Sequence, residues 1–433
     1  MSNRTTRNLL AAAAGAAVLT TPVVACGPFF PNQLLFDGSK SIRWAPTADL
    51  TFEINRLKPA TTLHAVVPEN HQDVYEQTTA VETADLRAAL NPSGLPADQR
   101  DLLVERYTEI RKTIAEYARS VSDPGENGAP AARPAFPDVI VPEGLPAEFA
   151  AYLRGLVQYH SGHFGAARAE WQAVLQLPAD QRRYRTVWAQ FMIGRSYQRE
   201  ADPARAVTAF RAVRDAVSAG QSDSLGLAAT SLGWEGRAEL DRAHFRRAAE
   251  LYLEQHAAGD PTAVNSIAIL CQQVFRRDDR SLLRTLASDP VMSRVLTAYV
   301  LARGGHFRDG PTPEAAGKWL DAVEAAGTSQ VIGADRLAWA AYQRDDIATA
   351  EKWVARAPDD APIGLWVKSK LLLRAGKVDA AAESLAKAAR SFPPAEHWDV
   401  AGGFDAPEAV VDEDFTPAKR AAAELGVLQL SLG

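Results

Sequence analysis

A phrase built around small residues recurs down this chain, and it limits the fold more tightly than any single residue does. In its clearest copy it runs Gly155, Gly162, Phe164, Ala167, Trp171 and Pro178. The next copy has Gly194, Tyr197, Ala206 and Phe210; a third has Gly236, Phe245, Ala248 and Tyr252. In each, the aromatic follows the alanine by four residues, one helical turn, so both lie on the same helix face. A glycine on the preceding helix lets the two helices approach closely, the aromatic fills the gap to the neighbour, and Gly162 suits the positive φ of a helix end. Helical hairpins of this kind cannot bury their apolar faces alone and must stack.

Looser copies follow. One runs through Trp339, Tyr342, Asp346, Ile347, Ala350 and Ala357, another through Trp366, Gly376, Val378, Ala381, Leu385, Ala388 and Pro393. Tyr299, Gly305, Ala316, Leu320 and Val323 fit only if the turn carries an insertion from Arg308 to Pro313, and the helical stretch from Ala263 to Leu286 fits poorly. Spacing is uneven: 39 residues from Ala167 to Ala206, 42 from Ala206 to Ala248, 31 from Ala350 to Ala381. Heptads do not persist and Gly/Pro turns interrupt, which argues against a coiled coil. The pattern resembles that of tetratricopeptide-repeat proteins, from about Glu148 to Pro394. That resemblance implies an all-α solenoid of helical hairpins with a ligand-binding concave groove. It leaves the ligand open, because such repeats serve chaperone docking, secretion, envelope assembly and glycan uptake.

The chain opens like an export signal over 1–25. Arg4 and Arg7 precede an apolar run from Leu9 to Leu19, then small residues. The run is too short for a permanent membrane span. Val23-Val24-Ala25-Cys26 resembles a bacterial lipobox, which implies cleavage before Cys26 and a lipid on it. Gly27, by the same likeness to Gram-negative lipoproteins, implies the outer membrane. The other reading is an ordinary leader that leaves Cys26 a plain thiol, able to bridge to Cys271 in an oxidising compartment. With Cys26 acylated, Cys271 is a small apolar residue in a helix.

Residues 26–60, with short aromatic and β-branched stretches such as AspLeuThrPheGluIle, are expected to be irregular and partly β. Helices are expected over 61–120, near Asp73–Leu90 and Ala97–Ser120, then a Pro/Gly-rich linker over 121–147. The solenoid follows over 148–395, then an acidic loop over 396–418. Residues 419–433 read as the first helix of an incomplete repeat, because Gly426 and Gly433 reproduce the spacing of Gly155 and Gly162; the reading frame is expected to continue past them. A net charge of −6, or −8 without Arg4 and Arg7, disfavours nucleic acid as a partner.

No catalytic signature stands out. Gly310 to Lys318 misses the phosphate-loop pattern, since Trp319 follows Lys318 where a hydroxyl must bind magnesium. His160 and His163 straddle a turn without a third ligand, and Asp345-Asp346 and Asp359-Asp360 read as helix caps. The expectation is a non-enzyme without cofactor or metal. The basic set is more suggestive. Arg195 and Arg237 each follow the first-helix glycine, Lys370 follows Ser369 at the matching point, and Arg199 and Arg374 lie one turn beyond. Such ladders resemble the clamps by which tetratricopeptide grooves hold a terminal carboxylate, although the accompanying asparagines are missing. The expected role is protein–protein interaction in the bacterial envelope, lipid-anchored through Cys26 and facing periplasm or exterior, or soluble in the periplasm or secreted. The alternative is a glycan-binding outer-membrane lipoprotein of a polysaccharide-uptake system, its sugar contacts supplied by loops near Phe136 and Phe404.

Overall fold

The computed structural model describes residues 50–66, 74–122, 134–302, 312–327, 333–394, 396 and 416–432. Among them are eighteen α-helices and no strand, and no helix is long and apolar enough to cross a membrane. The helices pack mostly in adjacent pairs, giving a solenoid-like array. Five antiparallel hairpins recur: α4 (Ala147–His160) with α5 (Phe164–Gln176), α6 (Thr186–Arg199) with α7 (Pro203–Ser218), and α8 (Leu227–Asp241) with α9 (Phe245–Ala257). Further along come α14 (Ala334–Gln343) with α15 (Ile347–Val354), and α16 (Pro362–Arg374) with α17 (Val378–Ser391).

The small residues create the close approach within a hairpin. A Cβ built on Gly155 would lie 2.2 Å from the Trp171 indole; on Gly194, 2.6 Å from Phe210; on Gly236, 2.6 Å from Tyr252. All three aromatics are fully or almost fully buried. Seven residues beyond the small residue, every hairpin turns through a left-handed residue. These are Gly162, Ala201, Ala243, Asp345 and Gly376, with φ of 86°, 56°, 59°, 63° and 72°. Glycine adopts that conformation freely and alanine does not.

The regular array breaks between α9 and α14. There α10 (Thr262–Arg276), α11 (Arg280–Ser288), α12 (Pro290–Leu301) and α13 (Pro313–Ala326) intervene, with α11 packed on α13 as well as α12. This covers the stretch whose sequence matches the repeat worst. At the far end α18 (Pro417–Leu432) packs on α17, burying Ala421 and Leu428.

The N-terminal part departs from expectation. AspLeuThrPheGluIle, read as β-like, contributes to a helix, α1 (Leu50–Asn55). Leu50 and Ile54 share its buried face, one turn apart, and the array supplies the apolar surface and the Arg336 partner for Glu53 that a lone strand lacks. The chain then runs back along the array, where Ala65 N–H donates to Ala258 O at 2.8 Å, towards α2 (Val74–Leu90) and α3 (Ala97–Ser122). Thus α1 belongs to the apolar core of the C-terminal half, while α2 and α3 join the core of the first hairpins. In the expected linker, Phe136 is packed on Tyr117 and His160, with ring centroids 4.9 and 6.0 Å away. The expected leader, Cys26, the rest of the expected β segment, residues 123–133 and the acidic stretch with Phe404 lie outside the described residues.

Candidate functional site

The first helices of neighbouring hairpins lie side by side, α6 meeting α8 and α14 meeting α16, and α8 also meets α10. The basic residues singled out from sequence sit on these helices but do not form one ladder. Arg195 lays its guanidinium over the Trp234 ring of the next first helix, 3.6 Å from the centroid. Burial pushes its pKa down, with Tyr159 opposing that shift. Arg199 is exposed and has no ion pair among the described residues. Arg237 is exposed and reaches Asp241 on its own helix at 3.1 Å.

Lys370 is not open to a ligand. Its ammonium and the Glu424 carboxylate of α18 lie 3.0 Å apart, both side chains 1% exposed, and Trp366 Nε1 donates to the same carboxylate oxygen at 2.6 Å. Burial pushes the Lys370 pKa down, and Glu424 opposes it. Arg374 pairs with Asp345 at 2.7 Å and lies against Tyr342. At Arg195 and Lys370 the position after the small residue is therefore a contact to a helix further along the array. Sequence reasoning missed this because Trp234 and Glu424, the partners, lie far along the chain from Arg195 and Lys370.

A second polar centre holds the N-terminal helices on the array. Fully buried Arg185, just before α6, donates to Asp85 Oδ2 and to the Glu82 carbonyl, each at 3.2 Å, and its guanidinium lies 4.3 Å from the Phe149 ring centroid. Glu82 accepts from Arg111 Nε and, at 2.9 Å, from Tyr107 Oη. Burial and Glu82 push the Tyr107 pKa up. Glu148 accepts from the backbone N–H groups of Tyr184 and Arg185 at 2.9 and 2.8 Å, yet burial raises its pKa despite those bonds. This centre is closed by its own packing and reads as a clasp for α2 and α3.

One open feature among the described residues is a cleft of about 280 Å³ between α8 and α10. Thr230, Gly233, Trp234, Arg237 and Leu240 form the α8 wall, and Thr262, Ser266 and Ile269 the α10 wall. Tyr252 and Gln255 of α9 and the loop residue Asp260 complete it. Ile269 is 42% exposed. Gln255 is 4% exposed; its Nε2 donates to Asp260 Oδ2 at 2.7 Å, while its Oε1 has no hydrogen-bond partner. An apolar wall with a few convergent polar groups is the usual make-up of a binding site. Of the sequence-predicted residues, only Arg237 lines it.

The other candidates have local roles. His163 Nδ1 lies 3.1 Å from Gln158 Oε1, His160 packs on aromatic rings, and Lys318 pairs with Asp278 and Glu314. Asp346 caps α15 by accepting from Thr349 N–H. Cys271 is buried as a free thiol, its pKa pushed up by burial. Among the described residues no three His, Cys, Asp or Glu side chains gather as a metal site. No protein-family model matches the chain, and neither does any curated protein.

Proposed function

We propose that this chain is an exported scaffold of tetratricopeptide-like hairpins that holds a segment of another protein in the bacterial envelope, anchored by a lipid on Cys26. The observation that carries the groove part is the α8–α10 cleft, where these two helices leave space between them. Its walls combine Trp234, Leu240 and exposed Ile269 with Arg237 and hydroxyls of Thr230, Thr262 and Ser266. That mixture suits an extended segment with one apolar side chain and main-chain polar groups. A sugar ring stacks best on an open aromatic face, and here Arg195 already takes one face of Trp234 while Tyr252 is buried under Gly236. The anchor rests on the lipobox resemblance alone.

The test is capture from envelope extract on the immobilised protein, alongside a glycan array. A partner retained by the native chain and lost with both Arg237→Ala and Ile269→Asp supports the reading. Retention unchanged by both substitutions, or saturable glycan binding instead, overturns it. Acylated Cys26 in the mass spectrum of the mature chain supports the anchor; an unmodified N-terminus there refutes it.

A further inference from the structure

The hairpins share a register, and the third one departs from it twice at a single point in space. Three residues before the small residue the chain has Tyr152, Phe191, Gly233, Asp335 and Trp366 in turn. Every other hairpin places a side chain here and the third places none. On the second helix, seven residues after the alanine, stand Val174, Val213, Gln255, Ala357 and Ala388. The column is apolar except at Gln255. These exceptions touch: a Cβ on Gly233 would lie 2.6 Å from Gln255 Oε1. Gly233 therefore both opens the cleft and makes room for the glutamine amide at its floor.

That amide has a fixed orientation. Asp260 Oδ2 can only accept, so Gln255 Nε2 must face it, and Oε1 is left as the acceptor without a donor. A buried carbonyl in that state loses its bond to water without replacing it, a burden the valines at the same place in the first two hairpins avoid. Resting on the groove reading above, we infer that the cleft is a subsite for an amide group of the bound segment. The amide N–H would meet Gln255 and its carbonyl would meet Arg237. The charged lining balances, Arg237 against Asp260, so a neutral group carrying both a donor and an acceptor suits it. A carboxylate would set acceptor against acceptor at Gln255, and an ammonium would face Arg237. The amide could come from an Asn or Gln side chain or from the segment's main chain.

The test uses the full chain with ¹⁵N-labelled Gln and Trp. The Gln255 side-chain resonances and the Trp234 indole are followed while acetamide, N-methylacetamide, acetate, methylammonium or glucose is added. Saturable shifts are expected with acetamide and not with acetate, methylammonium or glucose. A response to N-methylacetamide as well assigns the main chain; a response to acetamide alone assigns a side-chain carboxamide. Gln255→Leu, matching the apolar residue of the flanking hairpins, should fold and should abolish the Trp234 response. Saturation by any of the three non-amides, no saturation by either amide, or a persistent response in Gln255→Leu overturns the inference. Partner capture that survives such an outcome would leave the scaffold reading standing, so the two fail separately.

Discussion

Lys370 illustrates how the array turns a promising groove residue into a structural one, and its pairing with Glu424 predicts a specific energetic pattern. Both side chains are 1% exposed and 3.0 Å apart, and the Trp366 indole N–H shares the carboxylate oxygen. Removing one partner of a buried ion pair costs about 3–5 kcal/mol, because the other charge stays buried. Glu424→Leu should cost towards the upper end, since it also takes the acceptor from Trp366. Replacing both, as Lys370→Met with Glu424→Leu, should recover most of the loss, because apolar residues of similar volume avoid the desolvation penalty. The pair joins α16 to α18, the last described helix, so the effect should be local. Hydrogen exchange of the α18 amides reads it: at about 1.4 kcal/mol per decade, each single variant should lose roughly two to three and a half decades of protection, or reach the unprotected limit. Single variants that change protection by less than a decade, or a double variant worse than the two singles combined, would refute the reasoning.

Three further outcomes follow from particular residues. Ala243 turns its hairpin at φ 59°, where alanine is strained, so Ala243→Gly should stabilise the chain by about 0.5–1 kcal/mol, read as a higher urea midpoint. Glu148 has a folded-state pKa above the unfolded value of about 4.3, so its stability contribution is fullest below that pH and declines as pH rises through the folded value. Glu148→Gln, which still accepts from Tyr184 and Arg185, should flatten that decline in melting temperature between mildly acidic and neutral pH. Arg195→Ala loses a stacked, largely desolvated cation–π contact and should cost about 1–2 kcal/mol in a urea titration, whereas Arg199→Ala should stay within about 0.5 kcal/mol.

What the sequence made legible follows from which interactions are local. Gly155, Gly194 and Gly236 stand a fixed distance from Trp171, Phe210 and Tyr252, so spacing exposes the close approach of their helices, and the structure shows that each glycine faces the ring itself. The left-handed turn was legible at Gly162 and hidden at Ala201, Ala243 and Asp345, where the fold imposes a φ that residue type disfavours. Helix α1 was misread because six residues have little intrinsic preference; the buried surface and Arg336 that fix it come roughly two to three hundred residues later. The basic residues misled in the same way, since exposure depends on Trp234 and Glu424. The cleft is legible in the sequence only through exceptions, because Gly233 and Gln255 break the pattern that the aligned hairpins share.

The central claim is that the α8–α10 cleft is where a partner segment binds. A photo-crosslinking amino acid at Ile269, on the cleft wall, compared with one at Ile140, which is 84% exposed and lies outside that cleft, tests it most directly. In the producing cells, illumination should give a discrete adduct to one partner protein from position 269 and none from position 140. The Ile269 adduct should disappear when Gly233→Trp fills the cleft while circular dichroism still shows a folded helical array. Equal labelling from both positions, no adduct from Ile269, or an adduct indifferent to Gly233→Trp would contradict the account.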